Sequence, residues 1–229
     1  MSRTARIAPG GMVFHVLNRG VGRMNLFAKE GDYEAFERSI EKTLESCPMR
    51  ICAYCLMPNH WHFVCWPQQD GDLGAFMQKL TVTHVRNWQE HRHRVGYGHV
   101  YQGRYKSFPV EADEYFYQVM RYVERNALRS NLVARAEAWR WGSLWRRVSG
   151  KPSDRKWLSE WPLPIPRGWK DLVNQPQTET ELEAIRRSVA RGQPYGNDAW
   201  RKQTATVLGL ESTMRSRGRP WDRTTTRDN

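Results

Sequence analysis

Tyr54-Cys55-Leu56-Met57-Pro58-Asn59-His60-Trp61-His62-Phe63-Val64-Cys65-Trp66 is the stretch that decides the fold. Two apolar runs meet at Pro58-Asn59, a dipeptide that favours a turn, so the segment reads as strand, tight turn, strand. Side chains alternate along a strand, which sends His60 and His62 to one sheet face and Trp61 and Phe63 to the other. Two imidazoles about 7 Å apart along a strand can converge on one metal ion. The same spacing also suits two histidines that merely border a half-buried strand, and a His-x-His match alone does not separate the readings.

Outward from this hairpin the patterns alternate between strand and helix. Residues 12–19 alternate in strand fashion and stop at Gly20. Over residues 32–47, Tyr33, Phe36, Ile40 and Leu44 recur at helical spacing, with Asp32 placed as the N-cap and Pro48 as the stop. Leu73, Phe76, Leu80 and Trp88 mark a second helix reaching about His93, and residues 105–111 suit a further strand. Asp113 then caps a third helix whose apolar stripe is Phe116, Met120, Val123 and Ala127. The order strand, helix, strand, strand, helix, strand predicts an α+β fold with a ferredoxin-like antiparallel sheet. A generic α+β sandwich with other strand pairing is the alternative.

Charge narrows the partner. Thirty-six Lys and Arg against 24 Asp and Glu give a net charge of +12 and a pI near 9.9. A protein this basic is expected to meet a polyanion, with nucleic acid as the default. Eleven tryptophans and nine tyrosines supply flat faces for stacking unpaired bases, and suit core packing equally well. Cys47, Cys52, Cys55 and Cys65 cluster around one strand pair and do not spread as a disulfide framework. No secretory signal or membrane-length apolar run is legible, so a cytoplasmic protein with reduced thiols and no membrane partner is expected. Cys52 and Cys55 lie an odd number of residues apart, which predicts opposite sheet faces and argues against a shared zinc site.

The third helix carries a second stripe, Tyr115, Gln118, Tyr122 and Asn126, which the apolar stripe does not explain. Tyr122 and Asn126 are one turn apart and therefore adjacent. Packed over the histidine strand, Asn126 could add an oxygen ligand to a divalent ion, and Tyr122 could attack a polarised phosphate. Nitrogen and oxygen donors with open positions suit Mg²⁺ or Mn²⁺ better than a structural zinc. A half-exposed tyrosine that only snorkels is the bland counterpart. Arg19, Arg104, Tyr105, Lys106, Arg121 and Arg125 are candidate DNA contacts near these positions in sequence, and Arg217 and Arg219 are candidates in the tail. The latter sit in Arg217-Gly218-Arg219-Pro220, which resembles the core of a minor-groove-binding AT-hook, with nonspecific phosphate contact as the simpler reading.

Three motifs taken together, Met57-Pro58-Asn59-His60-Trp61-His62, Gln102-Gly103-Arg104-Tyr105-Lys106-Ser107 and Arg121-Tyr122-Val123-Glu124-Arg125-Asn126, resemble the REP-associated tyrosine transposases. These are relatives of the single-tyrosine HUH transposases of small insertion sequences. The resemblance covers roughly residues 7–148. It implies the HUH endonuclease fold and metal-dependent cleavage and joining of single-stranded, hairpin-forming repeat DNA through a 5′-phosphotyrosine. Residue by residue, it makes His60 and His62 the metal ligands, Tyr122 the nucleophile and Asn126 the third ligand. Where the family often has Asn-Pro-Val, this chain has Asn126-Ala127-Leu128, and loss of that proline is expected to lengthen the helix.

After Arg147 the composition shifts. The expected organisation is a catalytic domain over residues 1–150, a Pro/Trp-rich linker over 151–176 and a helical, basic, DNA-binding-like extension over 177–220. Residues 221–229 are expected to be disordered. The extension should hold a charged helix near 180–191 closed by Gly192, then two short helices interrupted near Gly209. Monomer and homodimer both remain open. Two other functions stay in play: a catalytically silent DNA- or RNA-binding regulator, and a nuclease that uses water in place of Tyr122.

Overall fold

A computed structural model describes residues 7–215. Strands β1 (Val13–Arg19), β2 (Arg50–Met57), β3 (His60–Trp66) and β4 (Lys106–Val110) form one antiparallel sheet in the order β2-β3-β1-β4. Helix α1 (Glu30–Leu44) links β1 to β2 across β3, and α2 (Asp72–His91) links β3 to β4 across β1. This is the ferredoxin-like arrangement expected from the element order. On one face α1 and α2 cover Phe14, Val16, Leu56, Trp61, Phe63 and Cys65. On the other, α3 (Glu114–Glu124) covers Val13, Val64, Phe108 and their neighbours. The sheet is therefore buried on both sides, and the histidines of β3 lie on the α3 side.

Three local expectations need correction. Asp32 is not the N-cap of α1 but sits in its first turn, where its carboxylate accepts from the backbone N–H of Ala28 and Lys29 and pairs at 2.8 Å with Arg92, the residue just after α2. Cys52 and Cys55 share a face. Ile51 pairs with Cys65 and Ala53 with Val64, so Cys52 is the additional residue of a β-bulge, and that insertion flips the phase of everything before it. The helical path does continue past Asn126, but as a separate turn. After Arg125, α4 (Asn126–Arg129) forms, and Asn131 closes it in the left-handed region.

The stretch expected as a linker is packed. Helix α5 (Ser143–Val148) precedes it and α6 (Trp169–Asn174) lies within it. Trp157 joins the core under α1 and α2, whereas Trp161 and Trp169 pack under α3 with Phe116. Helices α7 (Glu179–Arg191), α8 (Asp198–Val207) and α9 (Glu211–Met214) follow, with Gly192 and Gly209 at positive φ at the two expected breaks. Between α7 and α8, Tyr195 bonds to the free edge of β4, accepting from Glu111 N–H and donating to the Pro109 carbonyl, both at 2.9 Å. On the opposite edge, Leu56 and Ile51 of β2 pair with the backbone of Trp141 and Ser159. Both edges are thereby closed by this chain itself. Among the described residues, no helix is long and apolar enough to cross a membrane.

Glu37 of α1 and Arg146 of α5, both buried, form an ion pair at 2.6 Å. The Tyr54 hydroxyl donates to Glu37 and accepts from Arg146 Nε. Removing Arg146 leaves the buried Glu37 carboxylate with only the Tyr54 hydroxyl and the more distant, partly exposed Arg140 at 3.8 Å. Arg146→Met is therefore expected to cost about 3–5 kcal/mol in urea unfolding. Adding Glu37→Leu to that variant should recover part of the loss.

Candidate active site

His60 and His62 project from β3 toward α3 with ring centroids 5.0 Å apart. Asn59, the second residue of the hairpin turn, donates from Nδ2 to the Arg23 carbonyl, which turns its Oδ1 toward His60. That oxygen lies 2.6 Å from His60 Nδ1, so Nδ1 carries the hydrogen and Nε2 keeps a free lone pair. His62 Nδ1 is 2.9 Å from Nε2 of His15, a fully buried residue of β1. Each histidine of the pair thus has its Nδ1 engaged and its Nε2 side left for something else.

Burial keeps these rings neutral. Desolvation lowers His60 to about 4, with the Arg19 and Arg129 charges adding to the effect. Burial takes His62 well below the ordinary histidine range, helped by His15, His60 and the same arginines. His15 falls to about 3, from burial and then Arg129. Neutral imidazoles have the lone pairs that metal ligation needs.

Tyr122 comes from α3 with its ring edge-on to His62 at 5.9 Å and to His15 at 6.1 Å. Asn126, one turn later, is buried, and its Nδ2 has no hydrogen-bond partner. An amide can turn about its last bond, so the unpaired position can present oxygen equally well. Two neutral imidazoles and an unsatisfied buried amide fit a nitrogen–oxygen site for a divalent ion. Among the described residues, no three His, Cys, Asp or Glu side chains gather at one metal-sized point, so an ion here would need the amide. That geometry includes Cys52 and Cys55, despite their shared face.

Two participants are not evident from sequence spacing as read above. Arg129 lays its guanidinium 4.1 Å from the Tyr122 ring centre and donates to the Tyr122 carbonyl. Its position seven residues after Tyr122, on the same helical stripe as Asn126, is a signal that could have found it. His15 required the β1–β3 pairing, which periodicity alone does not give.

The proposed DNA contacts divide. Arg19 stands opposite His60 in the β1–β3 ladder. Arg104 and Lys106 are exposed, and Tyr105 is half-buried against the α1–α2 core. Their loop is tied to the end of β1, Gln102 N–H donating to the Arg19 carbonyl and Asn18 Nδ2 to the Gly103 carbonyl. Arg121 and Arg125 have another role. Arg121 donates to the carbonyls of Gln175 and Pro176, and Arg125 to those of Asn174 and Val173. In the free protein these contacts tie α3 to the C-terminal segment. Tyr115 and Gln118 meet Tyr195, whereas Tyr122 of the same stripe meets the rings of His15 and His62. Arg217 and Arg219 lie outside the described residues.

Comparison with known families matches residues 10–126, more than half of the chain, to the family described as Transposase IS200 like. A solved structure described as a REP-associated tyrosine transposase bound to a REP hairpin has a TM-score of 0.53 with this chain. The match covers 78% of this chain and 99% of that one at 18% identity, so the likeness is one of fold. No curated protein gives a significant match.

The neutral histidines dictate an acid response. His15, His60, His62 and the similarly buried His84 titrate near 6.5 when unfolded but far lower when folded. Below pH 6.5 the unfolded chain therefore binds more protons than the folded one. Stability should be full above pH 6.5 and fall as pH drops toward 4. The slope is about 1.4 kcal/mol per pH unit for each proton taken up. Urea melts of metal-free protein at pH 7.5, 6 and 5 check this, and a flat profile would show that the rings are not buried neutral.

Proposed function

The chain belongs to the IS200-like transposase family, and from that membership we propose a metal-dependent single-stranded DNA endonuclease and strand transferase with Tyr122 as its nucleophile. The observation that carries this reading is Tyr122 set edge-on against His62, with an unsatisfied Asn126 amide one helical turn away. His60, His62 and Asn126 would hold a divalent ion, Mg²⁺ or Mn²⁺ by donor type. When bound, that ion supplies charge neutralisation and orientation at the scissile phosphate.

The rest of the chemistry falls to the chain's own side chains. Tyr122 Oη attacks phosphorus, forming an O–P bond as the bond to the 3′-oxygen breaks. The phenolic proton passes to solvent, and the departing 3′-oxygen takes one proton from solvent. A 5′-phosphotyrosine and a free 3′-hydroxyl result, and attack by another 3′-hydroxyl reverses the step into joining. The Arg129 cation stacked on the ring is placed to stabilise negative charge developing on the phenol oxygen. Arg19, Arg104 and Lys106, around one end of β1, would bind the backbone of the strand entering the site. In the adjoining loop Tyr97 is 76% exposed, which suits stacking on an unpaired base. The hairpin in the structural neighbour supports hairpin-forming DNA as the substrate.

One observation favours a second reading. Tyr122 is only 8% exposed, as expected of a silent nucleic-acid binder in which the phenol serves packing. The two readings separate cleanly. With labelled hairpin single strands and Mn²⁺, the native protein is expected to form a denaturation-resistant adduct that a chelator prevents. Tyr122→Phe should abolish the adduct while leaving salt-sensitive binding in place. Cleavage that persists in Tyr122→Phe would assign the reaction to water, and no cleavage by the native protein would favour the silent binder.

A further inference from the structure

Asn59 leaves no choice at His60, but the contact between His15 and His62 is ambiguous in a way that matters. Both are ring nitrogens 2.9 Å apart, and one must donate while the other accepts. If His15 Nε2 carries the hydrogen, His62 Nδ1 accepts it, and the single hydrogen of neutral His62 sits on Nε2, where it blocks a ligand lone pair. If His62 Nδ1 carries the hydrogen, His15 Nε2 accepts it and His62 Nε2 is bare. His15 then holds its own hydrogen on Nδ1, a buried atom without a partner.

Resting on the metal site proposed above, we infer that His15 is a positioning residue that accepts the Nδ1 hydrogen of His62 and so holds His62 in its ligating tautomer. Several observations converge on this. His15 is fully buried, and its ring is fixed by Phe108 at a centroid distance of 4.8 Å and by the edge of Tyr122. His15 stands opposite Val64 in the β1–β3 ladder and His62 opposite Leu17, so the two rings are diagonal neighbours on one sheet face and their contact follows from the register, not from a loop. It does for His62 what Asn59 does for His60, and both ligands are then oriented from their Nδ1 side. Hydrogens only redistribute within the two neutral rings, one each before and after, so no net proton is lost from this pair. His15 reaches the ion through His62 and is not assigned as a ligand.

The test reads tautomers and metal affinity, not turnover. In histidine-¹⁵N-labelled protein with Cd²⁺ as a diamagnetic probe, long-range ¹H–¹⁵N correlation should find His62 protonated at Nδ1 and metal-bound at Nε2. Hydrogen on His62 Nε2 in the Cd²⁺-bound state, or direct Cd²⁺ binding by His15, would overturn the proposal. In parallel, electron paramagnetic resonance can follow free Mn²⁺. His15→Phe should weaken Mn²⁺ binding roughly 10- to 100-fold, the usual cost of losing a ligand's orienting partner. His15→Gln, whose side-chain oxygen can accept at the position of Nε2, should restore most of it. Native affinity in His15→Phe, or equal weakening in both variants, refutes the role. If His15→Phe does not fold, the native spectra and His15→Gln still decide. His60→Ala is the control for the underlying site: Mn²⁺ affinity unchanged there sinks the site itself, whereas a loss there with native affinity in His15→Phe removes only the role of His15.

Discussion

Everything at this site depends on imidazoles buried without charge between a sheet and a helix. A protonated histidine in that layer would lose its hydration with no carboxylate among the described residues acting to offset the cost, and Arg19 and Arg129 make it worse. The rings must therefore stay neutral, and a neutral imidazole has one donor and one acceptor to place. Asn59 fixes the Nδ1 side of His60, and His15 engages that of His62. These contacts leave the Nε2 side of each ring uncommitted, and the Tyr122 ring stands edge-on to that of His62. The desolvation that costs stability in acid is thus the same feature that makes the donors available to an ion.

Holding Tyr122 over these rings is a packing problem that the C-terminal third solves. Glu124, two residues on, is buried and accepts from Ser143 through one oxygen and from the Trp169 indole through the other. Ser143 also bonds the backbone of Tyr54 in β2. Helix α3 is therefore tied to the sheet on one side and to α6 on the other, with Arg121 and Arg125 fastened to residues 173–176 nearby. Burial pushes the Glu124 carboxyl up, yet two strong donors keep it satisfied. The rotation of α3 about its axis, and with it the direction of Tyr122, is set by groups far from it in sequence.

How much of this was legible follows from which signals are local. The phase of His60 and His62 is a local property of a strand next to a Pro-Asn turn, and so is the adjacency of Tyr122 and Asn126 on a helix. The element order also sufficed for the sheet topology, since two strand-helix-strand crossovers leave few pairings for four strands. The bulge at Cys52 was not legible because nothing in Ile51-Cys52-Ala53 announces an extra residue, and it reversed the reading of the cysteines. Arg121 and Arg125 looked free because they neighbour Tyr122 in sequence. Their acceptors are backbone carbonyls about fifty residues away, which carry no sequence signature.

The tryptophans mark the sharpest contrast between composition and structure. Residues 151–176 have no periodicity and many prolines, which describes a linker when only local pattern is considered. Yet Trp157 and Trp161 are buried outside any helix or strand, and Trp169 is buried at the start of α6, the last two against α3. Such an anchor needs little regular structure, only one large side chain whose burial outweighs the ordering of the few residues around it. A boundary at residue 150 would therefore cut through the core. It would uncover Phe116 and leave Glu124 with one of its two donors. It would also release the segment that closes β4. The histidine layer sits beneath that same helix, so on these contacts the extension is part of the scaffold that aims Tyr122.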